Sequence, residues 1–325
     1  MDSLIYSLNA TMPVFLVIVL GYIFNRTGMF NEGFISAANK FTFRICLPAM
    51  IFADMAQSDI TTAFDGKLVA FSAVITTLMF VLIWTGAKIF IKDKCITGAF
   101  VQASYRSSVA VMGFAFMMNI YGRTGLMPMI IIGCVPLYNI FAVTVLTFES
   151  PDAQNDKNKK NKLKKAAVGI IKNPIIIGIV LGCLGSVIHI YDFIPQLISK
   201  TIDNISVITT PLSLIVIGAS FEGKDAIAKI KPTIASCIIK LIALPAVFLT
   251  VAVLFGFRGE ALLALVIMLG SPTTPSCYIM AKNMNNDGTL TSSVIAATTL
   301  LSSVTLTFWI FLIRFMGLLE SNPVR

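Results

Sequence analysis

The chain has 325 residues, 56% of them hydrophobic and only 13% charged, with a mean hydropathy of +0.86. A soluble domain is about half apolar but about a quarter charged, so the missing charge excludes an ordinary soluble protein. The net charge of +9 would suggest a nucleic-acid ligand in a soluble chain, but here the cations lie between long apolar runs, and no nucleic-acid partner is expected.

Runs of about 20 apolar residues read as membrane-spanning helices. The first covers 5–25, within "MDSLIYSLNATMPVFLVIVLGYIF". It has Asp2 where a secretory signal would be basic, so it is taken as a span. The second covers 33–57 and carries Lys40 and Arg44 one turn apart on one face. At about 1.5 Å per residue in a core about 30 Å thick, Lys40 lies roughly 10 Å deep and Arg44 roughly 16 Å deep. Lys40 is close enough to the inner interface to snorkel. Asp54 falls near the outer end of the same span. Spans at 68–90, 96–120 and 126–148 follow. The fourth places Arg106, Ser107 and Ser108 near mid-depth.

The hydrophilic stretch "ESPDAQNDKNKKNKLKK" (149–165) then divides the chain. Beyond it, spans are expected at 167–188, 194–220, 232–256, 260–282 and 290–316. The eighth carries Lys240 roughly 12 Å deep at the same helical rise. The ninth contains "LGSPTTPSCYIMAKN" (269–283), with Pro272 and Pro275 set among Ser271, Thr273, Thr274 and Ser276. Two prolines and four hydroxyls predict a break rather than a kink. Thr274–Pro275 suits a helix restart. The restarted half-helix would open its N–H groups and positive dipole end at mid-membrane, which is an anion-binding end.

Cation placement orients the chain. With the linker in the cytoplasm, the inner side collects 15 Lys and Arg, six of them linker lysines at 157–165, and the outer side 6. Both termini are then expected outside, in a plasma (inner) membrane. The linker lysines read as a topology signal, with anionic membrane lipid as the other reading. Five spans precede the linker and five follow, so 1–149 and 167–325 form two five-helix units of opposite direction, joined by 150–166. If they are repeats, they are inverted repeats of the kind seen in secondary transporters. "CLPAMIF" in span 2 and "TPLSLIV" in span 7 echo each other, and spans 4 and 9 are the polar ones.

Enzyme chemistry has little to build on. There is one histidine, His189, at the end of a span, and the six cysteines lack CxxC spacing. Neither a metal site nor a catalytic triad is expected, nor any cofactor. A charge at the membrane centre costs at least about 2.5–3.5 kcal/mol, and a carboxylate substrate would offset Arg44 and Arg106. Lys240 and Asp54 stand as candidate coupling or support groups. A sodium- or proton-coupled carrier would need acids at mid-depth, and the sequence offers only Asp54.

"KNPIIIGIVLGCLGS" (172–186), "ISVITTPLSLIVIGASFEG" (205–223), "NKFTFRICLPAMIF" (39–52), "GSPTTPSCYIMAKNMNNDG" (270–288) and, more loosely, "YRSSVAVMGFAFMMNIYG" (105–122) resemble the auxin efflux carrier (PIN-like) family, including its bacterial malate and malonate permease-like branch. The resemblance covers essentially the whole chain. It implies an all-α polytopic protein of ten transmembrane helices in two inverted repeats, with scaffold and transport domains, and broken helices 4 and 9 crossing at the substrate site. It also implies elevator-like movement and a homodimer. The substrate it points to is a small organic anion, first a dicarboxylate such as malate or malonate, then an aromatic monocarboxylate such as auxin. Arg106, Ser107, Ser108, Ser271, Thr273, Thr274, Ser276 and Arg44 are the expected binding residues. The fourth span departs from the family's arginine-glycine-asparagine and later proline. It has Ser107, Ser108 and Ala115 in those places, which leaves Gly113 as the expected point of deformation.

Overall fold

The computed structural model describes residues 2–57, 65–109, 116–117, 125–151, 167–221 and 227–319. Among them the regular structure is helical throughout, with no strand. Among the described residues, five helices are long and apolar enough to cross a membrane: Gly66–Phe90, Met127–Phe148, Gln196–Ala219, Ile230–Leu254 and Gly288–Phe315. Shorter apolar helices, among them Pro174–Val187 and Gly259–Gly270, accompany them. The chain is thus a polytopic membrane protein.

In chain order the elements are α1 (Asp2–Arg26), α2 (Glu32–Phe41), α3 (Leu47–Ala56), α4 (Gly66–Phe90), α5 (Thr97–Tyr105), α6 (Met127–Phe148), α7 (Pro174–Val187), α8 (Ile190–Phe193), α9 (Gln196–Ala219), α10 (Ile230–Ile238), α11 (Leu244–Leu254), α12 (Gly259–Gly270), α13 (Ser276–Asn283) and α14 (Gly288–Phe315). Four of these helices start with Asn or Asp, whose side chain accepts a free backbone N–H of the first turn. Asn31 receives Phe34, Asp65 receives Leu68, Asn173 receives Ile175, and Asp287 receives Leu290.

Two spans swell into a π turn, at Thr42–Cys46 between α2 and α3 and at Ile239–Ala243 between α10 and α11. Each sits just before a Leu-Pro pair, Leu47–Pro48 and Leu244–Pro245. A proline inside a helix removes a donor and clashes with the carbonyl four residues back. The wider turn relieves that clash, and Leu47 and Leu244 reach back to Thr42 and Ile239 instead. The carbonyl of Leu241, four residues before Pro245, accepts Trp309 Nε1 at 2.9 Å.

Elsewhere glycines let helices touch backbone to backbone, as membrane helices do at small residues. α7 lies on α3: a Cβ at Gly178 would stand 2.8 Å from the Pro48 carbonyl oxygen, and one at Gly182 would stand 3.0 Å from that of Phe52. α1 and α9 meet reciprocally, Gly218 on the Ile18 carbonyl and Gly21 on that of Ile215. Gly218→Val therefore forces the α1–α9 pair apart. It is expected to cost at least about 1–3 kcal/mol and to lower the melting temperature of purified protein. Gly86 in α4, with nothing within 4 Å of its would-be Cβ, is the control, and Gly86→Ala should leave the melting temperature equal or higher. Equal melting of Gly218→Val and wild type would refute the close α1–α9 contact.

Candidate functional site

Two interrupted helices meet at their interruptions. In the expected ninth span, α12 ends at Ser271, whose backbone is extended (φ −64°, ψ 150°). The cause is local: Pro272 disfavours helical backbone in the residue before it. Pro275 already has helical angles (φ −55°, ψ −29°), and α13 starts at Ser276. In the expected fourth span, α5 ends at Tyr105, and Arg106 turns extended (φ −71°, ψ 145°). No proline forces this turn. The described break lies at Arg106–Ser108, upstream of the deformation expected at Gly113, which is outside the described residues together with Ala115.

Each break supplies what the other lacks. Ser108 N–H donates to the Pro272 carbonyl at 2.8 Å. Thr273 Oγ1 donates to the Ala103 carbonyl at 2.7 Å, in the last turn of α5. Gln102 Nε2 donates to the Cys277 carbonyl at 2.8 Å, and the Thr273 N–H donates to Thr298 Oγ1 at 3.1 Å. Lys240, wholly buried on the π turn before α11, donates from Nζ to the Leu269 carbonyl at 2.9 Å. It thereby meets the negative end of α12.

Arg106 is 3% exposed. Its Nη2 donates to Asn139 Oδ1 at 2.9 Å and to Ser276 Oγ at 3.1 Å, and its Nη1 lies 2.8 Å from Met280 Sδ. Its Nε and the Ser107 Oγ are buried without a hydrogen-bond partner. Beside them is a cavity of ≈ 120 Å³, lined by Arg106, Ser107, Ser108, Thr274, Pro275 and Ser276 from the two breaks. Its other walls are Val135, Tyr138 and Asn139 of α6, Leu47, Met50, Ile51 and Asp54 of α3, and Thr209, Thr210 and Ser213 of α9.

Five of the expected binding residues therefore meet at one place: Arg106, Ser107, Ser108, Thr274 and Ser276. Three do not. Arg44 is exposed on the first π turn and away from the cavity, because the face of α2 and α3 opposite it does the packing. Ser271 turns back to the Ile267 carbonyl at 2.6 Å, and Thr273 is spent on Ala103, so both shape the break instead of lining the cavity. Asp54, read as peripheral, lines it.

Asn139, Tyr138 and the Thr209–Thr210–Ser213 group were not anticipated. The signal was present: Asn139 is the lone amide in the apolar run of α6, and "TTPLS" sets three hydroxyls around Pro211 inside α9.

The family of membrane transport proteins matches this chain over residues 6–310. The chain is 25% identical to the uncharacterized transporter YfdV of Escherichia coli K12, over 97% of the chain and the whole of that protein. Two archaeal proteins also match. An uncharacterized transporter of Methanothermobacter thermautotrophicus is 21% identical, and the uncharacterized transporter MJ1031 of Methanocaldococcus jannaschii is 22% identical. Each covers 93% of the chain and 97% of the relative.

The junction itself can be tested apart from any substrate. Thr273→Val keeps the shape of the side chain and removes the donor to Ala103. Leaving that buried carbonyl short of a donor should cost about 1–3 kcal/mol, read as a lower melting temperature in detergent. Lys240→Met should do the same at Leu269. An unchanged melting temperature in both would show that these bonds do not hold the breaks.

Proposed function

The chain belongs to the auxin efflux carrier-like family of membrane transport proteins, and we propose that within it this protein is a secondary carrier of small organic anions. The observation that carries this reading is the placing of Arg106. Its guanidinium sits beside the start of α13 at Ser276, 3.1 Å from that hydroxyl. A helix start is a positive pole, so a cation next to it is electrostatically short of an anion. The unpartnered Nε of Arg106 and Oγ of Ser107 are donors available to one. A carboxylate takes guanidinium donors in pairs through short, charge-assisted bonds.

Size narrows the choice. Pockets for drug-sized ligands run to roughly 300–1,000 Å³, and this cavity is ≈ 120 Å³. That favours malonate or malate over an indole-bearing monocarboxylate.

The same reading has ten spans in two inverted repeats, 1–149 and 167–325, and, from the placement of the cations alone, the linker 150–166 in the cytoplasm and both termini outside. The two breaks fall in the fourth and ninth expected spans, one on each side of the linker. Cross-bonding between α5 and α13 makes the pair a single unit. Alternating access would move that unit, elevator-like, along the wall formed by α3 and α9. A homodimer is part of the same reading.

The test is uptake of labelled malate, malonate and indole-3-acetate into proteoliposomes. Dicarboxylate uptake is expected to exceed that of the indole acid. Arg106→Ala should reduce it about ten- to a hundredfold, the worth of a buried charged hydrogen bond, with the protein still eluting as a folded species. Full uptake by Arg106→Ala would remove Arg106 from the site.

A further inference from the structure

The cavity has a negative pole as well as a positive one. Asp54 of α3 lines it together with Arg106, and it is the one carboxylate among the described residues that do. The space between them is where a ligand would lie. Thr209, Thr210 and Ser213 of α9 line the same cavity.

This inference rests on the reading of the site as a dicarboxylate pocket. With one carboxylate held at Arg106, the second stands in the same small cavity as Asp54. Two carboxylates sharing a confined site do not both stay ionised, and one takes up a proton. From this geometry we infer that Asp54 takes that proton, and that the protein is a proton–dicarboxylate symporter. A proton binds the Asp54 carboxylate from the side on which substrate enters. It leaves to the other side when the substrate does.

The surroundings assign the role to Asp54. Across the cavity the titratable groups are Arg106 and Tyr138. On α9, Asp203 is engaged by Gln57 Nε2 at 2.9 Å and by the Tyr191 hydroxyl at 3.2 Å, and Tyr191 of α8 lies close enough to Asp54 to feel its charge as well. α7 brings only Cys183, which is exposed, and Arg44 on the adjoining π turn is exposed. Asp54 is thus the group whose charge state the bound anion confronts. The sign is fixed: protonated Asp54 accepts the dianion and ionised Asp54 opposes it, so uptake rises as the pH on the substrate side falls.

The experiment uses the full chain in proteoliposomes loaded with a pH-sensitive dye. Adding malonate outside should acidify the lumen as malonate enters, and an inward proton gradient should drive malonate accumulation above its outside concentration. Asp54→Asn mimics the protonated group. Its malonate exchange, at whatever rate, should be flat with pH and should not accumulate substrate under a proton gradient. If that variant is inactive, malonate-induced thermal stabilisation is measured against pH in its place, and the same flat profile is expected. Malonate uptake without luminal acidification overturns the proposal and leaves the carrier reading standing. So does a pH dependence that persists in Asp54→Asn, which would place the proton on the substrate, or a strict need for sodium. Competition by alanine would also overturn it, since a zwitterion can satisfy both poles without a proton. Failure of wild-type protein to take up any dicarboxylate would instead remove the reading on which this proposal stands.

Discussion

A single backbone bond, from the Ser108 N–H to the Pro272 carbonyl at 2.8 Å, states the constraint under which this protein is built. Hydrocarbon offers no partner for an open N–H or C=O, so irregular backbone at membrane depth survives only where protein satisfies it. One broken span would leave its groups stranded. Two breaks set against each other satisfy one another, and the contacts of Thr273 with Ala103 and of Gln102 with Cys277 extend the exchange over a helical turn on either side. The polar cavity is a by-product of that pairing. It lies where helix ends, hydroxyls and a guanidinium have been brought to one level.

This dependence explains which parts of the site the sequence displayed. Pro272 and Pro275 act on their own neighbours, through a missing N–H and a ring clash, so the break between α12 and α13 is written locally. The break at Arg106–Ser108 is not. Nothing in "SYRSSV" forbids a helix, and the chain turns there because Ser108 and Ala103 find their partners in the other break. A search for local helix breakers therefore points downstream to Gly113. The π turns are not written in the local sequence for a related reason. A proline announces a disturbed helix, but whether it kinks, breaks or swells depends on who takes the freed carbonyl, and for Leu241 that is Trp309, 68 residues away. Apolar runs and N-capping by Asn and Asp are written more locally, because each is decided within a few residues.

The hydroxyls show the same division. Around the second break, four hydroxyl residues looked alike as sequence, all short donors near a proline. Ser271 and Thr273 bond backbone carbonyls, at Ile267 and Ala103, while Thr274 and Ser276 face the cavity and each other at 3.2 Å. In a span, a hydroxyl is first a means of closing backbone valences and only afterwards a ligand. Which task each takes follows from where the neighbouring helix presents an open carbonyl.

The buried cations make the functional distinction sharpest. Lys240 and Arg106 are both almost wholly enclosed, and a rule that treats intramembrane charge as function would rank them together. Their electrostatic settings are opposite. Lys240 reaches the carbonyl of Leu269 at the closing turn of α12, a negative pole, so the helix itself supplies its counter-charge. Arg106 is directed to Ser276 at the opening of α13, a positive pole, with neutral Asn139 and Met280 as its other neighbours. A lysine at a helix end that welcomes it needs no ligand. An arginine held against a helix end that repels it has no such counter-charge from that helix, and it is that mismatch, beyond the presence of charge, on which the proposal of an anion site rests.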